Sequence, residues 1–171
     1  MGFLRHHDDA PVGRRFQMRE KLASIGDDAW IEDDQGDRLY KVDGKAFRIR
    51  DTFILKDRSG REVAKIQERK LHVRDTLAIE RDGQTVATVH KALVGIRDRF
   101  KIDIEDGDDL NAHGNVVDHE YEIRRYDDVV ARISRKWFRV RDTYGIEILD
   151  GEDEPLLLAV AVALDEMTTR G

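Results

Sequence analysis

The chain has 171 residues, enough for one domain with a substantial core, and its 30 basic and 36 acidic residues give a net charge of −6. An acidic chain without a block of like charge is unlike a duplex-DNA binder, so we expect no nucleic acid partner. The absence of cysteine excludes a disulfide framework, a thiolate zinc site and a cysteine nucleophile. The N-terminus has no apolar signal segment, and we therefore expect a cytoplasmic protein.

The first part of the chain divides into an arm and the start of a domain. Residues 1–14 lack hydrophobic periodicity and include Pro11 and Gly13, which predicts a flexible N-terminal arm. We expect a single domain over residues 15–171. It begins with a leading strand at residues 15–20, followed by a hairpin at residues 29–42 that turns at Gln35-Gly36.

An internal repeat dominates the rest of the chain. Three octets share one pattern, KAFRIRDT at 45–52, RKLHVRDT at 69–76 and KWFRVRDT at 136–143, and GIRDRF at 95–100 is a degenerate fourth copy. Strict alternation of apolar and polar residues after each copy predicts a strand. Each period of the repeat should therefore form a β-hairpin.

The hairpins should turn at glycines and return with small residues in the core. Turns are expected at Ser59-Gly60, Asp82-Gly83 and Asp106-Gly107, where glycine would supply a positive φ. The returning strands EVAKI, TVATV and VVARI place alanines on the core face at equivalent positions, namely Ala64, Ala87 and Ala131.

The RDT triplets place three arginines at equivalent positions, Arg50, Arg74 and Arg141. They could form a repeated binding surface. A structural role is favoured, because Asp and Thr side chains cap turns by accepting hydrogen bonds from backbone N–H groups, and the triplets fall where one hairpin passes to the next. Substitutions in them should impair folding.

The apolar run near the C-terminus predicts a central helix. Its uninterrupted part, residues 156–164, is shorter than the roughly 18 to 20 residues of a membrane-spanning helix. Acidic residues and Pro155 suit the start of a helix at residues 154–168, although a strand is also compatible with Val160 and Val162.

A closed barrel would enclose this helix. About twelve antiparallel strands would close into a barrel to remove their edges, leaving a lumen about as wide as a helix, roughly 10 Å. We therefore expect a mainly β fold with the helix inside. The small residues Ala159, Ala161 and Ala163 would face the alanine-bearing wall.

Several segments together resemble the LURP-one-related family, whose fold belongs with the tubby C-terminal domain and the phospholipid scramblases. They are RFQMREKLASIGDDAWIEDDQG, the RDT repeats, HGNVVDHEYEI, VVARISRKWFRVRDTYGIEI and the terminal apolar helix. The resemblance implies a twelve-stranded barrel around a C-terminal helix. Tubby-like domains bind phosphoinositide head groups, and scramblases are linked to calcium-dependent lipid movement. This chain lacks the cysteine-rich lipidated stretch and proline-rich arm of scramblases, which argues against scrambling.

The candidate binding residues lie in the basic segment at residues 124–141. Arginine and lysine bind phosphate, so an anionic head group could be recognised there. On a continuing strand, Arg132, Ser134 and Lys136 would point outward. The alternative is a solvated wall in which these cations pair with acidic neighbours. The candidate residues are Arg132, Lys136, Arg139 and Arg141.

We expect no metal, no cofactor and no enzymatic activity. His6 and His7 lie in the arm, and His113 and His119 flank a Gly-Asn pair, read as a turn, at a spacing without a zinc signature. The acidic loop at residues 103–109 does not match the EF-hand register. The sequence has none of the common hydrolase, P-loop or dinucleotide-binding motifs.

The sequence therefore predicts a non-enzymatic cytoplasmic binding module, peripheral at the membrane, whose outer barrel surface recognises anionic phospholipid or phosphoinositide head groups. The alternative is a structural or protein-interaction barrel without a small ligand, which would bind an unidentified protein.

Overall fold

Twelve antiparallel strands close into a barrel in which each strand pairs with its neighbours in sequence and β1 pairs with β12. The computed structural model describes residues 13–19, 28–44, 52–69, 76–92, 99–115, 120–134 and 143–169. The strands are β1 (Gly13–Arg19), β2 (Ala29–Asp33), β3 (Arg38–Asp43), β4 (Thr52–Asp57), β5 (Glu62–Glu68), β6 (Thr76–Arg81), β7 (Gln84–Ala92), β8 (Arg99–Ile104), β9 (Leu110–Asn115), β10 (Glu120–Arg125), β11 (Asp128–Ser134) and β12 (Thr143–Leu149).

A single described helix, α1 (Glu154–Thr169), fills the barrel. Residues 157–167 are all buried, as expected of a helix that is apolar on every side. The helix packs chiefly against β5 and also against β6, β7 and β12. This arrangement confirms the predicted barrel of twelve strands around a hydrophobic C-terminal helix.

Small side chains allow the helix to approach the wall. Ala64 on β5 and Ala87 on β7 are buried on the inner face, and Ala159, Ala161 and Ala163 of α1 are buried as well. Larger apolar side chains, including Phe16, Phe100, Ile66 and Ile79, fill the remaining space in the same core. The apolar residues that alternate with polar ones along these strands therefore face the core, as predicted.

Four hairpins carry a β-bulge at an equivalent place. In each hairpin the second strand contains one extra residue. This residue immediately precedes the one that pairs with an inward-facing residue of the first strand. The bulge brings an apolar residue into contact with the core where strict alternation would place it outside. These residues are Leu39, Val63, Val86 and Val130.

The turns agree with the prediction at three places and differ at two. Gly36, Gly60 and Gly83 have φ values of 85°, 85° and 77°. The prediction for Gly107 was wrong: its φ is not positive, since the longer connection at residues 105–109 closes through a hydrogen bond from the Ile104 N–H to the Asp109 side chain.

The expected Gly-Asn turn at residues 114–115 was also wrong, because both residues belong to β9. A Cβ on Gly114 would overlap the backbone oxygen of Glu120 on β10. Glycine is required there by the close approach of the two backbones rather than by a turn.

Two sequence predictions concern residues outside the described part of the chain. Strand β1 begins at Gly13, and most of the predicted arm precedes it. The Arg and Asp residues of the three RDT triplets also lie outside the described residues. Their threonines, Thr52, Thr76 and Thr143, begin strands β4, β6 and β12 and are buried.

The antiparallel order gives the barrel two different ends. We call the end with the hairpin turns the turn end; its connections are residues 34–37, 58–61, 82–83, 105–109, 126–127 and 150–153. We call the other the connection end; chain connectivity requires the six remaining connections to start and finish there. These are residues 20–28, 44–51, 69–75, 93–98, 116–119 and 135–142.

Candidate functional site

Arg132 lies on the outer wall of the barrel between two carboxylates. Its guanidinium is 3.2 Å from Glu147 on β12 and 3.6 Å from Glu122 on β10. The side chain keeps 33% of its exposure. The structure therefore places this candidate residue where its charge is already compensated, as in the alternative of a paired wall.

The ion pairs around Arg132 continue across the neighbouring strands. Arg15 on β1 binds Glu147 at 2.9 Å, and Arg124 on β10 binds Glu122 at 2.6 Å. The hydrogen bond from Arg124 lowers the pKa of the Glu122 carboxyl, although burial partly opposes the shift. Cations and anions alternate across this part of the wall, so it presents little net charge to a ligand.

On the opposite side of the barrel, the positive charges of the wall are likewise paired with carboxylates. Lysines on β3, β4 and β5 each face a carboxylate, at 2.7 Å for Lys41 and Asp28, 2.9 Å for Lys56 and Asp43, and 3.6 Å for Lys65 and Glu80. Such exposed pairs contribute little to stability individually. Their consequence here is that these wall lysines already have acidic partners.

The other three candidate residues, Lys136, Arg139 and Arg141, lie outside the described residues. They belong to the connection between Ser134, the last residue of β11, and Thr143, the first residue of β12. Ser134 is buried, and its hydroxyl donates a hydrogen bond to Glu120 at 3.2 Å.

Acidic residues accumulate at the turn end. Its connections, all of them described, contain eleven acidic and two basic residues, a net charge of −9. In the sequence, the six other connecting segments contain twelve basic and eight acidic residues, and most of these residues lie outside the described ranges. The overall charge of −6 does not reveal this uneven distribution.

Two described cations lie near the connection end. Arg99 is the first residue of β8, and Lys91 is the second-last residue of β7. Within the described part of the chain, neither has a carboxylate partner, and Arg99 is exposed. Arg58 lies at the opposite, turn end, between β4 and β5. It is also exposed and has no carboxylate partner among the described residues.

The turn end is where the central helix is attached to the wall. Three consecutive acidic residues bind cations on three strands: Glu152 binds Arg125 at 2.8 Å, Asp153 binds Arg81 at 2.6 Å, and Glu154 binds Arg14 at 3.0 Å. Hydrogen bonds from Arg81 lower the pKa of the Asp153 carboxyl, although burial partly opposes the shift. We call these three ion pairs the helix clamp.

Tyr40 on β3 reinforces the clamp. Its hydroxyl donates a hydrogen bond to Glu154 at 2.6 Å. Burial, followed by this hydrogen bond to a carboxylate, raises the pKa of the tyrosine. Glu154 at the start of α1, together with the two residues before it, therefore connects the helix to β1, β3, β6 and β10 around the barrel.

A hydroxyl, an imidazole and a carboxylate lie in sequence across β6, β7 and β8. Nε2 of His90 is 2.9 Å from Asp103, and Nδ1 of His90 is 3.4 Å from the Thr76 hydroxyl. This order resembles that of a hydrolase triad, and the sequence analysis did not single it out. Thr76 is only 4% exposed, however, so its hydroxyl is poorly placed to attack a substrate.

Carboxylates of the acidic loop at residues 103–109 have partners within the protein. Asp103 binds Lys101 at 2.6 Å, Asp109 accepts a hydrogen bond from the Ile104 N–H, and Asp108 accepts one from the Tyr126 hydroxyl. Among the residues that the structure describes, no group of three or more His, Asp or Glu side chains is arranged to hold a metal ion.

Helix α1 has 16 residues. No helix in the described ranges is long and apolar enough to cross a membrane.

Comparison with known proteins agrees with the fold. An X-ray structure of an Arabidopsis thaliana protein superimposes with a TM-score of 0.69 at 20% sequence identity, covering 92% of this chain and 93% of the plant chain. The search of curated proteins found no match. The LURP-one-related family model matches residues 14–165. The chain belongs to the LURP-one-related family.

Proposed function

We propose that this protein is a non-enzymatic, cytoplasmic binding module that recognises anionic phospholipid or phosphoinositide head groups. Family membership and the closed barrel fit a binding module. The observation that carries the lipid proposal is the distribution of charge along the sequence: the six segments 20–28, 44–51, 69–75, 93–98, 116–119 and 135–142 together have a net charge of +4 although the chain is net negative. Clustered lysines and arginines attract anionic lipid surfaces.

Lys136, Arg139 and Arg141 are the residues to which we assign head-group binding. They are three of the four basic residues in the segment between β11 and β12, residues 135–142. Arg132, the fourth candidate, would have to leave Glu122 and Glu147 to reach a phosphate. Separating those charges would cost part of the binding free energy, so Arg132 is a weaker candidate for head-group binding than the other three residues.

The interior of the barrel supports a role without catalysis. Helix α1 occupies the lumen in which a barrel protein would hold a small substrate. Thr76, in the Thr76–His90–Asp103 arrangement, is buried and lies within a paired strand, whose backbone N–H groups are engaged in the sheet. Among the residues that the structure describes, that arrangement therefore has no evident free backbone donors for an oxyanion hole.

A protein-interaction barrel is the second candidate. The compensated wall favours it, since a surface of alternating ion pairs gives no preference for anionic lipid. Tyr126, at the turn end, is 75% exposed and offers an aromatic contact of the kind enriched at protein interfaces.

Co-sedimentation with liposomes decides between the two functions. Purified protein would be mixed with vesicles of phosphatidylcholine, of phosphatidylcholine with phosphatidylserine, and of phosphatidylcholine with a phosphoinositide, at low and physiological salt. We expect pelleting with the anionic vesicles that weakens as salt rises. The phosphatidylserine and phosphoinositide arms distinguish general surface charge from a specific head group.

Two charge reversals complete the design. Lys136→Glu should reduce pelleting, whereas Arg58→Glu, an equal change of charge at the turn end, should leave it unchanged. Absence of pelleting under every condition would overturn the lipid proposal in favour of the protein-interaction barrel.

A further inference from the structure

We infer that the outer face of the β8–β9 hairpin binds a phosphate monoester through Arg99, Lys101, Asn111 and His113. We call these four side chains the hairpin face. The inference goes beyond the proposed function, because it concerns other residues and a ligand that need not be a lipid. Phosphoinositide head groups and small soluble molecules both carry phosphate monoesters, and the two sources can be separated experimentally.

Strand pairing brings the four side chains of the hairpin face together. Arg99 lies directly opposite His113, and Lys101 lies directly opposite Asn111. All four are exposed, whereas the residues that alternate with them on both strands are buried in the core. Directly opposite residues have Cα atoms about 5 Å apart, and alternate residues of one strand are about 7 Å apart. The face therefore has room for one phosphate group among its side chains.

The hairpin face presents hydrogen-bond donors and contains no carboxylate. The guanidinium of Arg99 can donate two parallel hydrogen bonds to a phosphate, and the ammonium of Lys101 acts as a compact positive charge. The amide of Asn111 and the imidazole of His113 each have an N–H to donate. A phosphate monoester has three free oxygens and a charge of about −1.5 to −2 near neutral pH. Its acceptors and charge therefore suit this set of donors.

Arg99 distinguishes this face from the rest of the wall. Arginines and lysines on the other strands face carboxylates. Among the strand side chains that the structure describes, Arg99 and Lys91 are the two cations without such a partner. Lys91 pairs with the buried Phe100 and so lies on the inner side of the sheet. Arg99 thus places an uncompensated positive charge where an external anion can reach it.

The neighbouring strands leave the face open. Ala92, opposite Arg99 on β7, has only a methyl side chain and covers little of the guanidinium. Glu122, opposite His113 on β10, binds one arginine at 2.6 Å and lies 3.6 Å from another. Its charge is therefore already compensated and opposes an incoming anion only weakly.

Lys101 is the member of the face whose charge is partly compensated. It binds Asp103 at 2.6 Å and lies 3.6 Å from Asp109. A phosphate would share this ammonium with the two carboxylates. Arg99 should consequently contribute more to binding than Lys101 does.

Titration with inositol trisphosphate, a soluble compound with phosphate monoesters, tests the site in the full chain. Binding would be followed by two-dimensional amide NMR. We expect saturable shifts of the backbone amides of the hairpin face and none at the turn around Gly36. Uncharged inositol is the control ligand and should cause no shifts.

Matched variants test the role of Arg99. Arg99→Gln should weaken binding about tenfold or more, because it removes charge-assisted hydrogen bonds to the phosphate. Arg58→Gln removes an equally exposed charge at the turn end and should leave binding unchanged. Arg99→Lys keeps the charge but loses the planar donor pair, so its affinity should be intermediate. Equal weakening by Arg99→Gln and Arg58→Gln would show that only net charge matters and would overturn the site.

Vesicles separate the two sources of the phosphate. Phosphatidylcholine vesicles containing a phosphatidylinositol phosphate would be compared with phosphatidylcholine–phosphatidylserine vesicles of equal surface charge. A preference for the former that depends on Arg99, without binding of inositol trisphosphate, assigns the site to a lipid. Binding of the soluble compound shows that a free phosphate monoester suffices.

Binding in neither arm, or binding that Arg99→Gln leaves unchanged, would overturn the inference. The proposed function would still stand if phosphatidylserine vesicles pelleted the protein and Lys136→Glu reduced that pelleting. The failure of the hairpin face and the failure of the lipid proposal are therefore distinguishable.

Discussion

Arg81 and Asp153 form a doubly hydrogen-bonded ion pair, with N–O distances of 2.7 and 2.6 Å, that joins the end of β6 to the start of the central helix. Asp153 also caps the helix, because its carboxylate accepts a hydrogen bond from the Leu156 N–H at 3.2 Å. The Asp153 side chain thus accepts a hydrogen bond from a backbone N–H in the first turn of the helix and also attaches the helix to the barrel wall.

Replacing Asp153 with Ala should destabilise the barrel. Loss of the cap alone costs about 1 kcal/mol, and the arginine loses its partner in addition. We expect the free energy of unfolding, measured by urea titration, to fall by about 1–3 kcal/mol. Asp34→Ala, a substitution in an exposed turn, is the control and should change it by less than about 0.5 kcal/mol. Equal effects would contradict the clamp.

The clamp also predicts loss of stability in acid. The pKa of Asp153 is lower in the folded protein than its ordinary value because Arg81 donates hydrogen bonds to the ionised carboxylate. The ionised form therefore stabilises the fold above the unfolded pKa of about 4, and this contribution is lost as the pH falls through the folded pKa. As the pH is lowered through the acid range, the melting temperature of Asp153→Asn should fall less steeply than that of the unchanged protein. Parallel curves for the two proteins would show that this carboxylate is not responsible.

Ala161→Asp should prevent folding if the helix is held in the lumen as described. Ala161 is 1% exposed, and an unpaired charge buried there costs several kcal/mol. Soluble yield and thermal melting would measure the effect. Gln84→Asp, which adds the same charge at an exposed position, should fold normally. A soluble Ala161→Asp protein with unchanged melting would refute the central position of the helix.

Gly114→Ala tests the close approach of β9 and β10. The added methyl group would overlap the backbone of Glu120, which cannot yield as a flexible side chain can. We expect a loss of about 1–3 kcal/mol in stability, as for other overpacked sites. Gly107→Ala is the matched control, since its nearest neighbour is the side chain of Ile104 at 3.3 Å and its φ is not positive. A neutral result at Gly114 would show that the two strands can separate without cost.

Many features of the fold follow from short segments of sequence. The alternation around Phe53, Ile79 and Ile102 requires only that neighbouring side chains point to opposite faces of a strand. The positive φ at Gly60 and Gly83 reflects local turn chemistry. The bulges that bring Val63 and Val86 to the core depend instead on pairing with another strand, and strict alternation places these valines on the outside.

The site was less accessible to prediction. The basic segment was identified by its composition, but the partners of Arg132 come from β10 and β12. Arg99 was overlooked because its significance lies in having no described carboxylate nearby, which a sequence does not reveal. The helix clamp joins Arg81 to Asp153, 72 positions apart, and no local pattern predicts such a pair.

The sequence by itself determined the repeat, the alternating strands, the turns at Gly36, Gly60 and Gly83 and the apolar helix, because each depends on backbone preferences and side-chain periodicity within a few residues. Only the tertiary structure decided which charges neutralise one another and which accumulate at one end. Electrostatic interaction depends on distance in space, and closure of the barrel sets that distance between Arg132 and Glu147 and between Arg81 and Asp153.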